Sequence, residues 1–232
     1  MYVVNSRIKP LAPNTMVWKY LDLSKFLDLL LHKQLFMARS DKFEDQYEGT
    51  FSEPTFVEIQ KLSEHKPEFL EYYKNHRKNV VISSWHINDH ESFAMWQIFT
   101  KSKEGIAIQS TVDKIQKALA LEHDFEQHIG KVNYIDYKTQ HIPFDDAFFP
   151  FLYKRKSFIY EKEVRIITDA SHSKDEIHEG LKIDVDVEKL ISKIYIHPKS
   201  ENWYKKLIFE LIDRLNLDFE IGVSDLESEI LL

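Results

Sequence analysis

Hydrophobic and polar positions along the 232-residue chain follow two rhythms, one of period two and one near 3.6, and their succession predicts a mixture of strands and helices. "MVWKYLDLS" predicts a short strand, Met16 to Leu21, leading into a helix capped at Ser24, whose apolar positions Phe26, Leu27, Leu30 and Leu31 repeat at helical spacing. "QLFMARS" predicts another strand, and "DKFEDQYEGTFSEP" a polar, acidic loop. Pro54 to Lys78 then gives a largely polar helical insertion, two helices rather than one because Pro67 lacks an amide donor. "NVVISSW" and "GIAIQS" are strand-forming runs, with the helical pattern "HESFAMWQIF" between them and a helix "TVDKIQKALAL" entered through a cap at Ser110 or Thr111.

Farther along, "HIGKVNYIDY" predicts a strand, and "FDDAFFPFLYKRKSF" a helix or helix pair broken at Pro150. "KEVRIIT" is a strand, "HSKDEIHEG" a polar hairpin-like excursion, and "LKIDVDV" and "KIYIHP" are strands. "SENWYKKLIFELIDRLN" has the clearest amphipathic stripe of the chain, and "LDFEIGVS" closes it. Strands and helices alternate without the continuous apolar runs of a parallel sheet. The expected fold class is α+β, a single domain over residues 1–232 with a central mixed or antiparallel sheet, flanking helices and the insertion at 54–78.

Composition narrows what such a domain does. With 43% hydrophobic and 13% aromatic residues the chain can bury a full core. A formal net charge of -7 gives no bulk attraction for nucleic acid or an anionic membrane. Without cysteine, thiolate catalysis, disulfides and cysteine metal sites are excluded, which fits a reducing compartment. No window approaches a membrane-spanning apolar run and the first residues show no cleavage pattern, so the expectation is a soluble, cytoplasmic protein. The five glycines are scattered, at Gly49, Gly105, Gly130, Gly180 and Gly222, which removes both glycine-rich phosphate cradles.

The candidate chemistry concentrates in "FIYEKEVRIIT". Glu161, Glu163 and Arg165 are two apart and share one face if the segment is extended, forming either a solvated, self-paired surface or the polar floor of a site. Two carboxylates so placed can orient a sugar hydroxyl, accept a proton, bind magnesium or hold each other's pKa apart. The acidic turn adds Asp45 and Glu48 at a spacing that brings them together, without the calcium-loop pattern. His86 and His90 lack a third ligand at a recognisable interval, so no metal is assigned. Lys19 and Tyr20, with Trp18, Trp85, Trp96 and Tyr160, are core rings or a sandwich for a base, and Lys19 or the basic run "YKRKS" around Lys156 would meet a phosphate. Ser83 and Ser84 lack the glycine elbow of a serine hydrolase.

Taken in order, "VWKYL", "LFMARSDKFEDQYEG", "VISSWHINDHESFAMWQIF", "GIAIQS" and "KSFIYEKEVRII" resemble the motifs of a bacterial and phage family, domain of unknown function 2971. Two positions depart from its pattern: Glu44 stands for the family's asparagine and Gln46 for its frequent proline. The layout is similar to ADP-ribosyltransferase domains. That likeness implies NAD as a substrate, Lys19 or Arg39 on its phosphates, Ser83 or Ser84 at the nicotinamide ribose, and Glu161 or Glu163 on a ribose hydroxyl as positive charge develops at the anomeric carbon. Lys19, Asp45, Glu48, Trp96, Lys156, Glu161, Glu163 and Arg165 are expected to line one cleft. The competing readings are a magnesium-dependent nuclease with Asp45, Glu48, Glu161 and Glu163 as ligands and Lys156 or Lys162 as activating cation, and a non-catalytic module binding a nucleotide or a protein partner.

Overall fold

A computed structural model describes residues 1–63, 68–122, 124–173 and 177–227. The first part of the chain forms β1 (Met16–Asp22), α1 (Leu23–His32), β2 (Gln34–Arg39), α2 (Glu53–Ser63), α3 (Glu68–Asn79) and β3 (Val80–Ile87). Next come α4 (Phe93–Phe99), β4 (Gly105–Thr111), α5 (Val112–Ala118), β5 (His128–Lys131), β6 (Asn133–Ile135), β7 (Tyr153–Arg155) and β8 (Glu163–Asp169). The remainder is β9 (Gly180–Asp184), α6 (Val187–Leu190), β10 (Lys193–Ile196), α7 (Asn202–Arg214) and β11 (Glu220–Gly222). The fold is α+β, with a central mixed sheet flanked by helices, as its alternating pattern requires. Among the described residues no helix is long and apolar enough to cross a membrane.

Two compact units divide the chain. The first comprises Met1–Leu11, Phe36–Ser84 and Glu122–Ile183; the second comprises Ala12–Leu35, Trp85–Leu121 and Asp184–Leu232. In the second unit, β4 pairs antiparallel with β1 along its whole length and with β10 on its other side, and β10 pairs parallel with β11. α1 starts from Asp22 rather than from the expected Ser24, because β1 runs on to Asp22 and leaves no residue for a separate cap. Thr111 caps α5, its hydroxyl accepting from the Lys114 amide at 3.3 Å. Trp18, Tyr20, Met95, Trp96 and Ala107 make an aromatic core cluster.

In the first unit, β2 and β3 pair antiparallel with Ala38 opposite Ile82. β8 pairs with β3 and, antiparallel, with β5, where Gly130 faces Arg165. Ile8, Val80, Ile82, Phe151, Leu152 and Ile167 form its apolar core. "HIGKVNYIDY" is two strands, not one, since beyond Val132 the chain leaves β8 and β6 pairs parallel with β7. The helix expected over "FDDAFFPFLYKRKSF" is replaced by a 3-10 turn, Phe149–Leu152, then β7, then a second 3-10 turn, Lys156–Glu161. The apolar residues there cluster instead of repeating at 3.6, and Pro150 lacks the amide an α-helix interior needs, so a tight turn buries Phe151 and Leu152 and the chain then extends. The insertion is two helices, α2 and α3; Pro67, which motivated that expectation, lies outside the described residues, as does part of the "HSKDEIHEG" excursion.

Candidate functional site

The segment "YEKEVRII" does not run as one strand. Glu161 ends the 3-10 turn, Lys162 takes a left-handed conformation with φ 43°, and β8 begins only at Glu163. This break removes Glu161 from the strand phase of Glu163 and Arg165 and corrects the expectation of one shared strand face. Glu161 instead turns back onto Lys154 of β7, at 2.5 Å, and the same ammonium lies 2.9 Å from Glu163. A solvated strand surface is also ruled out, because β8 is buried continuously from Glu163 to Thr168 and Arg165 is 0% exposed.

A charge without water costs several kcal/mol unless it is paired and hydrogen-bonded, at roughly that order per ion. Arg165 meets the condition with all its donors. Its Nε donates to Glu163 at 2.8 Å and its Nη2 to Glu163 at 3.1 Å and Glu48 at 2.9 Å. Its Nη1 donates to Glu48 and, at 2.6 Å, to the Phe151 carbonyl. Glu163 is equally committed: one carboxylate oxygen accepts from Lys154 and Arg165, the other from Arg165 and, at 2.6 Å, from the Ser84 hydroxyl. Its backbone amide donates to the Tyr134 hydroxyl at 2.9 Å. Glu163 therefore has no lone pair directed at an incoming molecule.

Charge balance sets the protonation of the group. Lys154 and Arg165 supply two positive charges, and Glu48 and Glu163 two negative ones, so ionised Glu161 would leave the buried cluster with a net negative charge. Burial, then the hydrogen bond and charge of Glu163, push the Glu161 carboxyl up to about 7 against the pull of Lys154. For Glu163 burial pushes the same way, but Arg165, the hydrogen bonds from Glu161 and Arg165, and Lys154 outweigh it and hold this carboxyl well below the usual range. The two share one titration, with the proton on the Glu161 side near neutral pH.

The acidic turn supplies two further carboxylates. Asp45 accepts from the Tyr47 amide at 3.0 Å, the Glu48 amide returns to the Asp45 carbonyl at 2.9 Å, and Gly49, at φ +66°, turns the chain where a Cβ would lie 2.3 Å from the Phe151 ring. Asp45 and Glu48 are thus carried by one turn, as their spacing suggested, but hold different arginines. Asp45 takes Arg155 at 2.7 Å, and the guanidinium lies over the Tyr47 ring at 4.4 Å and the Phe158 ring at 5.5 Å.

The other candidates are placed as follows. Lys156 is exposed at the start of its 3-10 turn; the lysine inserted among the carboxylates is Lys154, because the inward positions of the short strand β7 fall on even-numbered Lys154 and not on the turn that follows. Arg39 is committed to Asp41 in a two-bond pair and to the Ile177 carbonyl. Ser83 is buried, and Ser84 serves Glu163. Lys19, Tyr20 and Trp96 belong to the second unit, where Lys19 lies over the Trp85 ring, the Tyr20 hydroxyl accepts from the Ser92 amide at 2.7 Å, and the Trp96 indole donates to Glu91 at 3.0 Å. Tyr20 and Trp96 are core rings meeting edge to face. Sequence reasoning missed Lys154, Arg155, Tyr47 and Tyr134; the basic run "YKRKS" was the one local signal for the first two.

Among the described residues no group of three or more histidine or acidic side chains has the arrangement to hold a metal ion. The four carboxylates considered as magnesium ligands are each engaged by Lys154, Arg155 or Arg165. No protein-family model matches the chain, and no curated protein matches it significantly.

Proposed function

We propose that the cluster around Glu161 is the acid–base centre of an enzyme acting on the glycosyl bond of an NAD-like nucleotide, by ADP-ribose transfer or by hydrolysis. The observation that carries this reading is the separation of two neighbouring carboxyls on one lysine: Glu163 locked as an anion, Glu161 titrating near 7. Paired groups whose environments drive their pKa values apart are the signature of assigned acid and base roles. Glu161, at the rim of the cluster, is the group that meets substrate; its ionised form would hold a ribose hydroxyl while the anomeric carbon becomes cationic. Glu163, Arg165 and Lys154 are positioning residues that fix Glu161 and set its proton affinity. The ordered motifs resembling domain of unknown function 2971, and the ADP-ribosyltransferase-like layout they suggest, point to the same substrate, and the cysteine-free composition suits a cytoplasmic setting.

The test is nicotinamide release from NAD by the wild type and by Glu161→Gln. Loss of about 10²-fold or more in turnover, with ADP-ribose affinity held within about tenfold, is expected for an acid–base group. Wild-type turnover should rise with pH around 7 as Glu161 ionises. Absence of released nicotinamide from the wild type, or equal turnover in the variant, rejects the reading. The non-catalytic binding module is favoured by one observation, the complete internal pairing of Glu163 and Arg165, and predicts ligand affinity without turnover. The nuclease reading requires Asp45, Glu48, Glu161 and Glu163 to exchange lysine and arginine partners for a metal ion.

A further inference from the structure

We infer that Arg155, held by Asp45 and the Tyr47 and Phe158 rings, is an anion-binding group that receives the diphosphate of a nucleotide ligand; only the nucleotide part of that assignment rests on the function proposed above. An arginine in an ordinary surface ion pair faces an exposed acid, and both side chains wander. Here the acid is fixed: the Asp45 side chain is 3% exposed and is also bound by the Tyr47 amide, while the guanidinium is 38% exposed. Asp45 takes the Nη2 edge at 2.7 Å and Nε at 3.4 Å. Tyr47 lies against the guanidinium plane at 4.4 Å and Phe158 at 5.5 Å. What is left is the Nη1 group, which has no hydrogen-bond partner among the described residues.

Such an arrangement has its orientation fixed before a ligand arrives, which lowers the entropy lost on binding. A planar fork with a free edge suits phosphate oxygens, and phosphate suits it better than a carboxylate of single charge because a diphosphate can also reach neighbouring ammonium groups. Lys156 and Lys162 are exposed, adjacent in sequence to Arg155 and Glu161, and without an ion-pair partner among the described residues. Phe158 links this group to the acid–base cluster, since its ring lies beneath both Arg155 and the Lys154 ammonium, the latter at 4.6 Å. A ligand with its diphosphate on Arg155 would have its sugar directed along that ring toward Glu161.

Titration calorimetry with inorganic pyrophosphate, ADP-ribose and adenosine, on the wild type, Arg155→Lys and Arg155→Ala, tests this without any need for turnover. Pyrophosphate and ADP-ribose should bind and adenosine should bind more weakly. Arg155→Lys, which keeps the charge and loses the fork, should weaken both phosphate ligands by about tenfold or more, and Arg155→Ala by more still. Melting curves show whether each variant is folded, and Arg155→Lys, which keeps a counter-charge beside the buried Asp45, carries the comparison if Arg155→Ala is unstable. Failure of the wild type to bind either phosphate ligand, or unchanged affinity in the folded Arg155 variants, overturns the inference. Phosphate ligands bound through Arg155 with no nicotinamide release would reject the proposed activity and leave the anion site standing; nicotinamide release that ignores Arg155 would do the reverse.

Discussion

Arg165 in the first unit and Trp96 in the second are both fully buried, and each carries polar hydrogen that must find an acceptor, yet their surroundings differ in kind. Trp96 sits among Trp18, Tyr20, Met95 and Ala107, and gives its indole hydrogen to Glu91, whose other oxygen takes the Ser224 hydroxyl and the Asp225 amide. One carboxylate there satisfies a rim of neutral donors around an apolar cluster. Around Arg165 two carboxylates, Glu48 and Glu163, balance two cations away from water, and a third carboxyl, Glu161, is left over. Packing alone is served by the first arrangement. The second is costly to bury and gains stability only while complete, and this cluster around a single titratable residue is what the proposed function rests on.

Removing the centre of each cluster sharpens this contrast. Arg165→Ala leaves Glu48 and Glu163 buried without a counter-charge and should destabilise the protein by about 3–5 kcal/mol, read as a shift in the urea midpoint. Replacing Arg165, Glu48 and Glu163 together with apolar residues of similar size should recover most of that loss while abolishing the proposed activity. If the single and triple variants are equally unstable, the charges are not balancing one another as described. Trp96→Phe keeps an aromatic ring but removes the indole donor to Glu91 together with part of the buried bicycle. The expected loss is smaller, about 1–3 kcal/mol for one unsatisfied partner, with any nucleotide chemistry of the first unit unaffected.

How much of this could be read in the residues depends on distance along the chain. The amphipathic stripe of "SENWYKKLIFELIDRLN" became α7, and the branched runs "NVVISSW", "GIAIQS" and "KIYIHP" became β3, β4 and β10, because those patterns record burial within one element. The presence of Asp45 and Glu48 in one turn was legible for the same reason. The pairing of Glu48 with Arg165 spans 117 positions and leaves no periodic trace. Nor does the left-handed Lys162, since a non-glycine residue at positive φ is held there by its surroundings rather than announced by its type. That one residue decides whether Glu161 continues a strand or turns toward Lys154. The division into two units is hidden as well, because each is assembled from three separate stretches of chain.

The finest test of the difference between the clusters is the pH dependence of stability, where the first should carry a carboxyl titration near neutrality. The Glu161 carboxyl is raised from an ordinary value of 4.5 to about 7, so the folded state binds its proton more tightly than the unfolded chain does. Its contribution is fully present below about 4.5, shrinks as pH rises, and is gone above about 7, where the ionised side chain adds an unbalanced charge to the cluster. Glu163 has the opposite sign: held low by Arg165 and Lys154, it contributes above the ordinary carboxyl range and its contribution is lost on acidification. Between about 4.5 and 7 the wild type should therefore lose stability with rising pH relative to Glu161→Gln, whose neutral amide has no proton to release. Unfolding both proteins in urea at several pH values reads the two slopes directly. Parallel slopes would mean that Glu161 titrates as an ordinary carboxyl, and the charge balance assigned to Lys154, Arg165, Glu48 and Glu163 would have to be redrawn.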